Sequence, residues 1–230
     1  MNIFDILGPV MVGPSSSHTA GAVRMGYVAL KLLKDKPVYA SIELFGSFAA
    51  TGKGHGTDRA LVAGLLGMKS DDIRIPYSLN IAHDEGLRVF FEYPENNGVQ
   101  TADFHQGDMH PNTAVFNLQG EHGRKLCMQA SSIGGGRIMV NKIDGITVNF
   151  SGEMHTLIVH NYDIPGHVAA VTNLLFENKI NIATMNLYRV GRGAYAVMVL
   201  ETDQSVDEKI VCDIEKIKGI IKVTYFDGEQ

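Results

Sequence analysis

Apolar side chains recur along this chain with two periods, and the change from one to the other marks its elements. From Thr19 to about Lys34, Val23, Tyr27 and Leu30 fall at helical spacing, with Met25, Val28 and Leu32 on an adjoining face. That pattern predicts a helix buried around much of its circumference. "VYASIELFG" (Val38 to Gly46) then alternates like a strand, with Val38, Ala40, Ile42 and Leu44 on one side. A second helix is predicted from about Thr57 to Leu66, after a glycine-rich loop. Further strands are predicted at "LRVFFEY" (Leu87 to Tyr93), "TAVFNLQ" (Thr113 to Gln119), "KLCMQASS" (Lys125 to Ser132) and "RIMVNKI" (Arg137 to Ile143), with Gly, Asn and Pro turn signals between them. The first part, residues 1–152, therefore reads as an α+β domain, and no repeat of solenoid period occurs in it.

Residues 153–230 are more regular. "HTLIVHNY" (His155 to Tyr162) reads as a strand and "DIPG" as a turn. "HVAAVTNLLFENK" (His167 to Lys179) reads as a helix with Val168, Val171, Leu174 and Leu175 on one stripe. Ile180 to Val190 and Ala194 to Thr202 form a hairpin across "GRG"; a helix carrying Val206, Ile210, Ile214 and Ile217 and a last strand, Ile220 to Phe226, follow. The order βαββαβ is the split-βαβ, ferredoxin-like arrangement.

Composition narrows the function classes. The net charge of −5 comes without long runs of one sign, which excludes the clustered basic footprint of a nucleic-acid binder. Apolar stretches stop short of a membrane span, and "MNIFDILGPVMVG" lacks the basic start and small-residue cleavage site of a signal peptide, so the expected compartment is the cytoplasm. The two cysteines, Cys127 and Cys212, lie far apart in sequence and supply neither a disulfide framework nor a metal site; they read as small buried hydrophobes.

Chemistry concentrates in two stretches of the first part. "VGPSSSHTAGAVRMG" (Val12 to Gly26) sets Ser15, Ser16, Ser17, His18 and Thr19 in a row before an apolar run. One hydroxyl among Ser16, Ser17 and Thr19 suffices to cap a helix; the row exceeds that need, and a helix start also suits a small carboxylate. Both readings, cap and site, stand at this point. "TGKGHGTD" places Gly52, Gly54 and Gly56 around Lys53 and His55, an anion nest if it is a loop, with Thr57 or Asp58 as the cap of the next helix. Its spacing matches neither a Walker A loop nor a dinucleotide fingerprint. In "GSFAATGK", Ala49 stands where the lysine of a pyridoxal-phosphate motif would follow Ser-Phe, so that cofactor is excluded.

The segment His160 to Asp203 resembles an ACT module, a small-molecule sensor found on enzymes of amino-acid metabolism. The resemblance rests on Asn161, Asp163, Pro165 and Gly166 of an "N-x-D-x-P-G" turn, and on "INI" before the second strand. It implies an amino-acid effector held near Asn161, Asp163, Gly166 and His167, and a homodimer through this module. Pro165 would open the helix, and Asp163 would cap it or pair with the effector's ammonium.

"GPSSSHTAGAVRMG", "GSFAATGKGHGTDRALVAGLLG", "MHPN" (Met109 to Asn112) and "SSIGGG" (Ser131 to Gly136), in this order before an ACT module, resemble the beta subunit of bacterial iron–sulfur L-serine dehydratase. The resemblance implies deamination of L-serine to pyruvate and ammonia, with a 4Fe-4S cluster bound by cysteines of a separate alpha subunit and not by this chain. It implies that this chain alone is inactive. The first part also resembles the allosteric substrate-binding domain of some phosphoglycerate dehydrogenases, so the alternative is a free-standing amino-acid-binding regulator. Removal of water from serine needs a base for the α-proton. His18 is the first candidate, with Ser17 and Thr19 as catalytic residues beside it, and His110, beside Asn112, is the second. Ser15, Ser16, Lys53, His55 and Asn112 are the candidates for holding the substrate. His83, His122, His155 and His160 lack such company and read as surface or hydrogen-bonded core groups.

Overall fold

The computed structural model describes residues 11–94, 109–189, 191 and 193–228, and the side chain of Lys53 lies outside the described residues. The chain separates into two compact units, Met1–Gly145 and Ile146–Gln230.

The first unit opens with a wide, π-type turn, Ser16–Gly21, that runs straight into α1 (Ala22–Leu33). There follow β1 (Pro37–Phe45), α2 (Gly46–His55), α3 (Thr57–Leu65), a short 3-10 turn, α4 (Ser78–Asp84) and β2 (Arg88–Glu92). β3 (Asn112–Gly120), β4 (Lys125–Gly134) and β5 (Arg137–Ile143) complete it. Within this unit the sheet runs β2-β1-β3-β4-β5. β1 and β2 are parallel, joined through α2 to α4, and the other neighbours are antiparallel. Alternation buries Ala40, Ile42 and Leu44 of β1, Ala114, Phe116 and Leu118 of β3, and Leu126, Met128 and Ala130 of β4. α1 packs on β4 and crosses α3.

That crossing has no room for side chains: a Cβ on Gly64 would lie 2.0 Å from the Val23 carbonyl oxygen, and one on Gly26 2.1 Å from that of Leu61. The two backbones touch, and both contacts are to atoms that cannot rotate away.

Three sequence expectations are corrected here. The stretch read as a glycine-rich loop is helix α2; only Gly56, with φ +70°, breaks it from α3. Tertiary anchoring overrides the low helix propensity of Gly52 and Gly54. The Pro111 carbonyl accepts from the Ser47 and Phe48 amides at 2.6 and 3.4 Å, and Phe48 is fully buried. The cap of α3 is Gly56, without a side-chain bond, so neither Thr57 nor Asp58 caps it. Cys127 is exposed because it sits on the outward-facing register of β4, between buried Leu126 and Met128.

In the second unit β6 (Ile146–Phe150) lies against β8 and β9. β7 (His155–Tyr162), α5 (His167–Glu177), β8 (Ile182–Arg189), β9 (Tyr195–Thr202), α6 (Glu208–Glu215) and β10 (Ile220–Phe226) form the βαββαβ unit. Its antiparallel sheet runs β10-β7-β9-β8. Leu157, Val159, Val171, Leu175, Met198, Leu200, Ile210, Ile214 and Val223 form its core. Cys212 lies on the outer face of α6, opposite the buried Ile210 and Ile214, and is exposed, so the expectation of buried cysteines fails twice. β8 is an edge strand that leaves Met185 and Leu187 exposed. No helix among the described residues is long and apolar enough to cross a membrane.

Candidate functional site

Four sequence motifs converge at the start of α1. Ser15, extended at φ −141° and ψ 125°, is the N-cap, and its Oγ accepts from the His18 amide at 3.2 Å. The cap is therefore Ser15, not Ser16, Ser17 or Thr19, because only Ser15 retains the extended backbone that turns its hydroxyl over the first turn. Ser16 and Ser17 are half-buried in that turn. Thr19 is buried against Gly13, where a Cβ would lie 2.4 Å from its Oγ1. Gly21 is demanded in the same way: a Cβ there would lie 2.1 Å from Ser132 Oγ on β4.

The turn carries the His18 ring onto the first turns of α2. Its Nε2 lies 3.2 Å from Ser47 Oγ and 3.2 Å from Thr51 Oγ1. Its Nδ1 lies 3.4 Å from Ser15 Oγ. Phe48 meets the ring edge-on with centroids 5.2 Å apart, and His55 stands 5.0 Å away. Burial, and then the charge His55 would carry, push the His18 pKa below its ordinary 6.5, against a weaker opposite effect of hydrogen bonding to the Ser47 backbone. The first two effects favour the neutral imidazole, the form able to accept a proton.

The "MHPN" stretch fastens this arrangement. Gly46, at φ +54°, bridges Asn112, and Pro111 crowds it so closely that a Cβ would lie 2.6 Å from the Pro111 oxygen. The Asn112 amide donates to His110 Nδ1 at 3.2 Å, and Asn112 Nδ2 lies 3.5 Å from the Ser132 carbonyl oxygen. Asn112 Oδ1 and Ser132 Oγ are buried without hydrogen-bond partners. His110 is exposed at the rim. His55 comes to the site, while Lys53 contributes its helix position alone.

Ser47, Thr51 and Phe48 were not foreseen as site residues. Ser47 and Thr51 stand four residues apart, on one face of a helix. That signal was hidden because three glycines made the segment read as a loop.

In the second unit the "N-x-D-x-P-G" turn is tightly built. Gly166, at φ +101°, is the N-cap of α5, so Pro165 precedes the helix instead of opening it, and no side chain caps it. Asp163 is drawn away from the helix: its Oδ2 accepts from Arg189 Nη2, from Arg189 Nε at 3.0 Å and from the Gly193 amide at 3.1 Å. These donors, Arg189 first, hold its carboxyl below the usual range. His167 is buried, with Nδ1 2.9 Å from the Tyr162 carbonyl oxygen and Nε2 2.9 Å from that of Lys218. Asn161 Nδ2 donates to the Tyr162 carbonyl at 2.7 Å, while its Oδ1 is buried without a partner.

The chain thus joins an α+β unit with a hydroxyl-and-histidine cluster to a ferredoxin-like unit with such a turn. Residues 155–219 match the ACT domain family, and residues 2–143 match the serine dehydratase beta chain family. The chain belongs to the serine dehydratase beta-chain family. It is 39% identical to the probable L-serine dehydratase beta chain of Bacillus subtilis, over 97% of this chain and 96% of that one. It is 34% identical to the L-serine dehydratase beta chain of Peptoniphilus asaccharolyticus, over 97% of each. With L-serine dehydratase 1 of Escherichia coli it shares 29% identity over 60% of this chain and 33% of that protein.

Proposed function

We propose that this chain is the beta subunit of an L-serine ammonia-lyase that converts L-serine to pyruvate and ammonia in the cytoplasm, together with an iron–sulfur alpha subunit. The observation that carries the reading is the convergence of "SSSHT", "GSFAAT", "MHPN" and "SSIGGG" around a neutral, half-buried His18 in a chain of this family.

His18 is the base for the α-proton, and the hydroxyls of Ser15, Ser16 and Ser17 with Asn112 orient the substrate's carboxylate. Thr19, turned inward on Gly13, supports the turn instead of meeting the substrate. His110 and His55 are both exposed, placed to meet the substrate's carboxylate.

The chain's own residues do not fit a 4Fe-4S cluster. Its two cysteines lie on different units, both exposed, and no group of three or more His, Cys, Asp or Glu among the described residues is arranged to hold a metal. The cluster belongs to the alpha subunit. The chain purified alone is expected to stay colourless after anaerobic iron–sulfur reconstitution and to form no pyruvate from serine, which absorbance and a coupled pyruvate assay will read. A brown product with cluster absorbance would refute the division of labour.

The ACT domain adds an amino-acid effector, L-serine or a relative, and pairs two copies of the chain along the exposed edge strand β8. The buried Asn161 Oδ1 without a donor, beside the free amides at the start of α5, supports effector binding. The same observation favours the second reading, a regulator without catalysis of its own. Asp163→Ala is expected to weaken L-serine binding, because it removes the carboxylate that orders Arg189 and the Gly193 amide beside the turn. Calorimetry on the full chain checks this, and equal binding in variant and parent would remove Asp163 from the site.

A further inference from the structure

The proton position on His18 decides which of its nitrogens can act, and the neighbours on α2 determine it. Thr51 is four residues after Ser47, and its hydroxyl donates to the Ser47 carbonyl at 2.9 Å. A threonine hydroxyl has one hydrogen. With that hydrogen committed to a carbonyl, Thr51 Oγ1 presents only lone pairs to His18 Nε2, 3.2 Å away. Ser47 Oγ, also 3.2 Å from Nε2, is able to donate or accept and decides nothing by itself. On the other side of the ring, Ser15 Oγ accepts from the His18 amide at 3.2 Å and retains its own hydrogen for Nδ1, 3.4 Å away. All of these contacts are hydrogen bonds at once only when Nε2 carries the ring proton and Nδ1 is bare; with the proton on Nδ1, Thr51 Oγ1 and Nε2 would face each other with lone pairs.

We propose that Thr51 is the positioning residue that holds His18 as the Nε2–H tautomer, so that Nδ1, facing Ser15, is the nitrogen that takes the substrate's proton. The proposal rests on His18 being the base of the proposed reaction. It assigns Ser15 a second role beside capping: its hydroxyl covers Nδ1 and must swing aside, or pass its own hydrogen to Nδ1 as it accepts one from the substrate. In the second route the substrate's Cα–H bond breaks and leaves its electron pair on carbon, its proton joins Ser15 Oγ, and Ser15's own O–H bond breaks as that hydrogen bonds to Nδ1.

Nitrogen NMR of the full chain, labelled at histidine, tests the tautomer without any activity measurement. The parent is expected to show protonated Nε2 and unprotonated Nδ1 for His18, Thr51→Val a mixture of tautomers, and Thr51→Ser the parent pattern. Thr51 is exposed and valine has its shape, so the thermal midpoint should stay near the parent's. In the two-subunit enzyme, Thr51→Val should lower kcat roughly 3- to 10-fold with KM unchanged, because the rate follows the competent fraction, and Thr51→Ser should restore it. An Nδ1–H tautomer in the parent, or an unmixed Nε2–H tautomer in Thr51→Val, overturns the proposal. Parent-like turnover in His18→Ala, beside the expected tautomer in the parent, instead overturns the reading of His18 as base and leaves Thr51 only a structural neighbour.

Discussion

His18→Ala lowers the turnover of the assembled two-subunit enzyme by roughly 100-fold or more, the scale of losing a general base, while folding and subunit assembly persist. The ring makes no contact that the cap requires: Ser15 Oγ accepts from the backbone amide of residue 18, which alanine retains. Ser15→Ala costs about 0.5–2 kcal/mol of stability through the lost cap and lowers turnover as well, because the same hydroxyl faces His18 Nδ1. The pH dependence follows from the sign of the His18 shift. Its pKa in the fold lies below the ordinary 6.5, so the acid limb of kcat/KM falls below pH 6.5, and His18→Ala abolishes that limb. The unfolded chain protonates this histidine more readily than the folded one. Its effect on stability is therefore constant above pH 6.5 and becomes unfavourable as the pH falls below it. Steady-state kinetics across pH, beside the thermal midpoint, provide the check, and turnover within a few-fold of the parent would return the stretch to a cap or a regulatory pocket.

Gly64→Val has the largest expected effect on stability. A Cβ at this position would lie 2.0 Å from the Val23 oxygen, 2.5 Å from the Tyr27 nitrogen and 2.8 Å from the Gly26 Cα, all backbone atoms of α1. The helices must separate, and α1 then loses its packing on β4 as well as on α3. Overpacking of this kind costs about 3 kcal/mol or more, a fall of about 10 °C in Tm for a unit of this size. Gly54 supplies the control, because nothing stands within 4 Å of the Cβ it would gain. Gly54→Ala in α2 is expected to stabilise by about 0.5–1 kcal/mol. A parent-like melting curve for Gly64→Val would show that the α1–α3 crossing is looser than its backbone contacts require.

The βαββαβ part of the second unit was readable almost residue by residue, though the strand before it, β6, was not. His155–Tyr162 and Ile220–Phe226 occur as predicted, and the hairpin and both helices shift only at their ends. Apolar periodicity there agrees with local propensity, and Gly166, Gly193 and Gly219, all at positive φ, mark three of its turns. The first unit divides differently. β5 occurs at its predicted bounds and α1 nearly so, but α4 and the helical state of Gly46–His55 went unread. α2 holds because Pro111, more than fifty residues away, supplies the acceptor for its first amides and because Phe48 is buried. No window of local sequence contains that information.

The sequence by itself determined the two-part organisation, the ferredoxin-like order and the motifs that carry the chemistry, because these reside in periodicity and in residue identity. Tertiary structure alone decided which hydroxyls serve His18. Ser15 is the cap because its backbone stays extended; Thr19 is turned inward on Gly13; Ser47 and Thr51 reach Nε2 because α2 exists. It also decided that Asp163 pairs with Arg189 across the hairpin and that both cysteines face outward. Such outcomes depend on the direction of a side chain and on what lies opposite it, which spacing along the chain does not encode when the partner is dozens of residues distant.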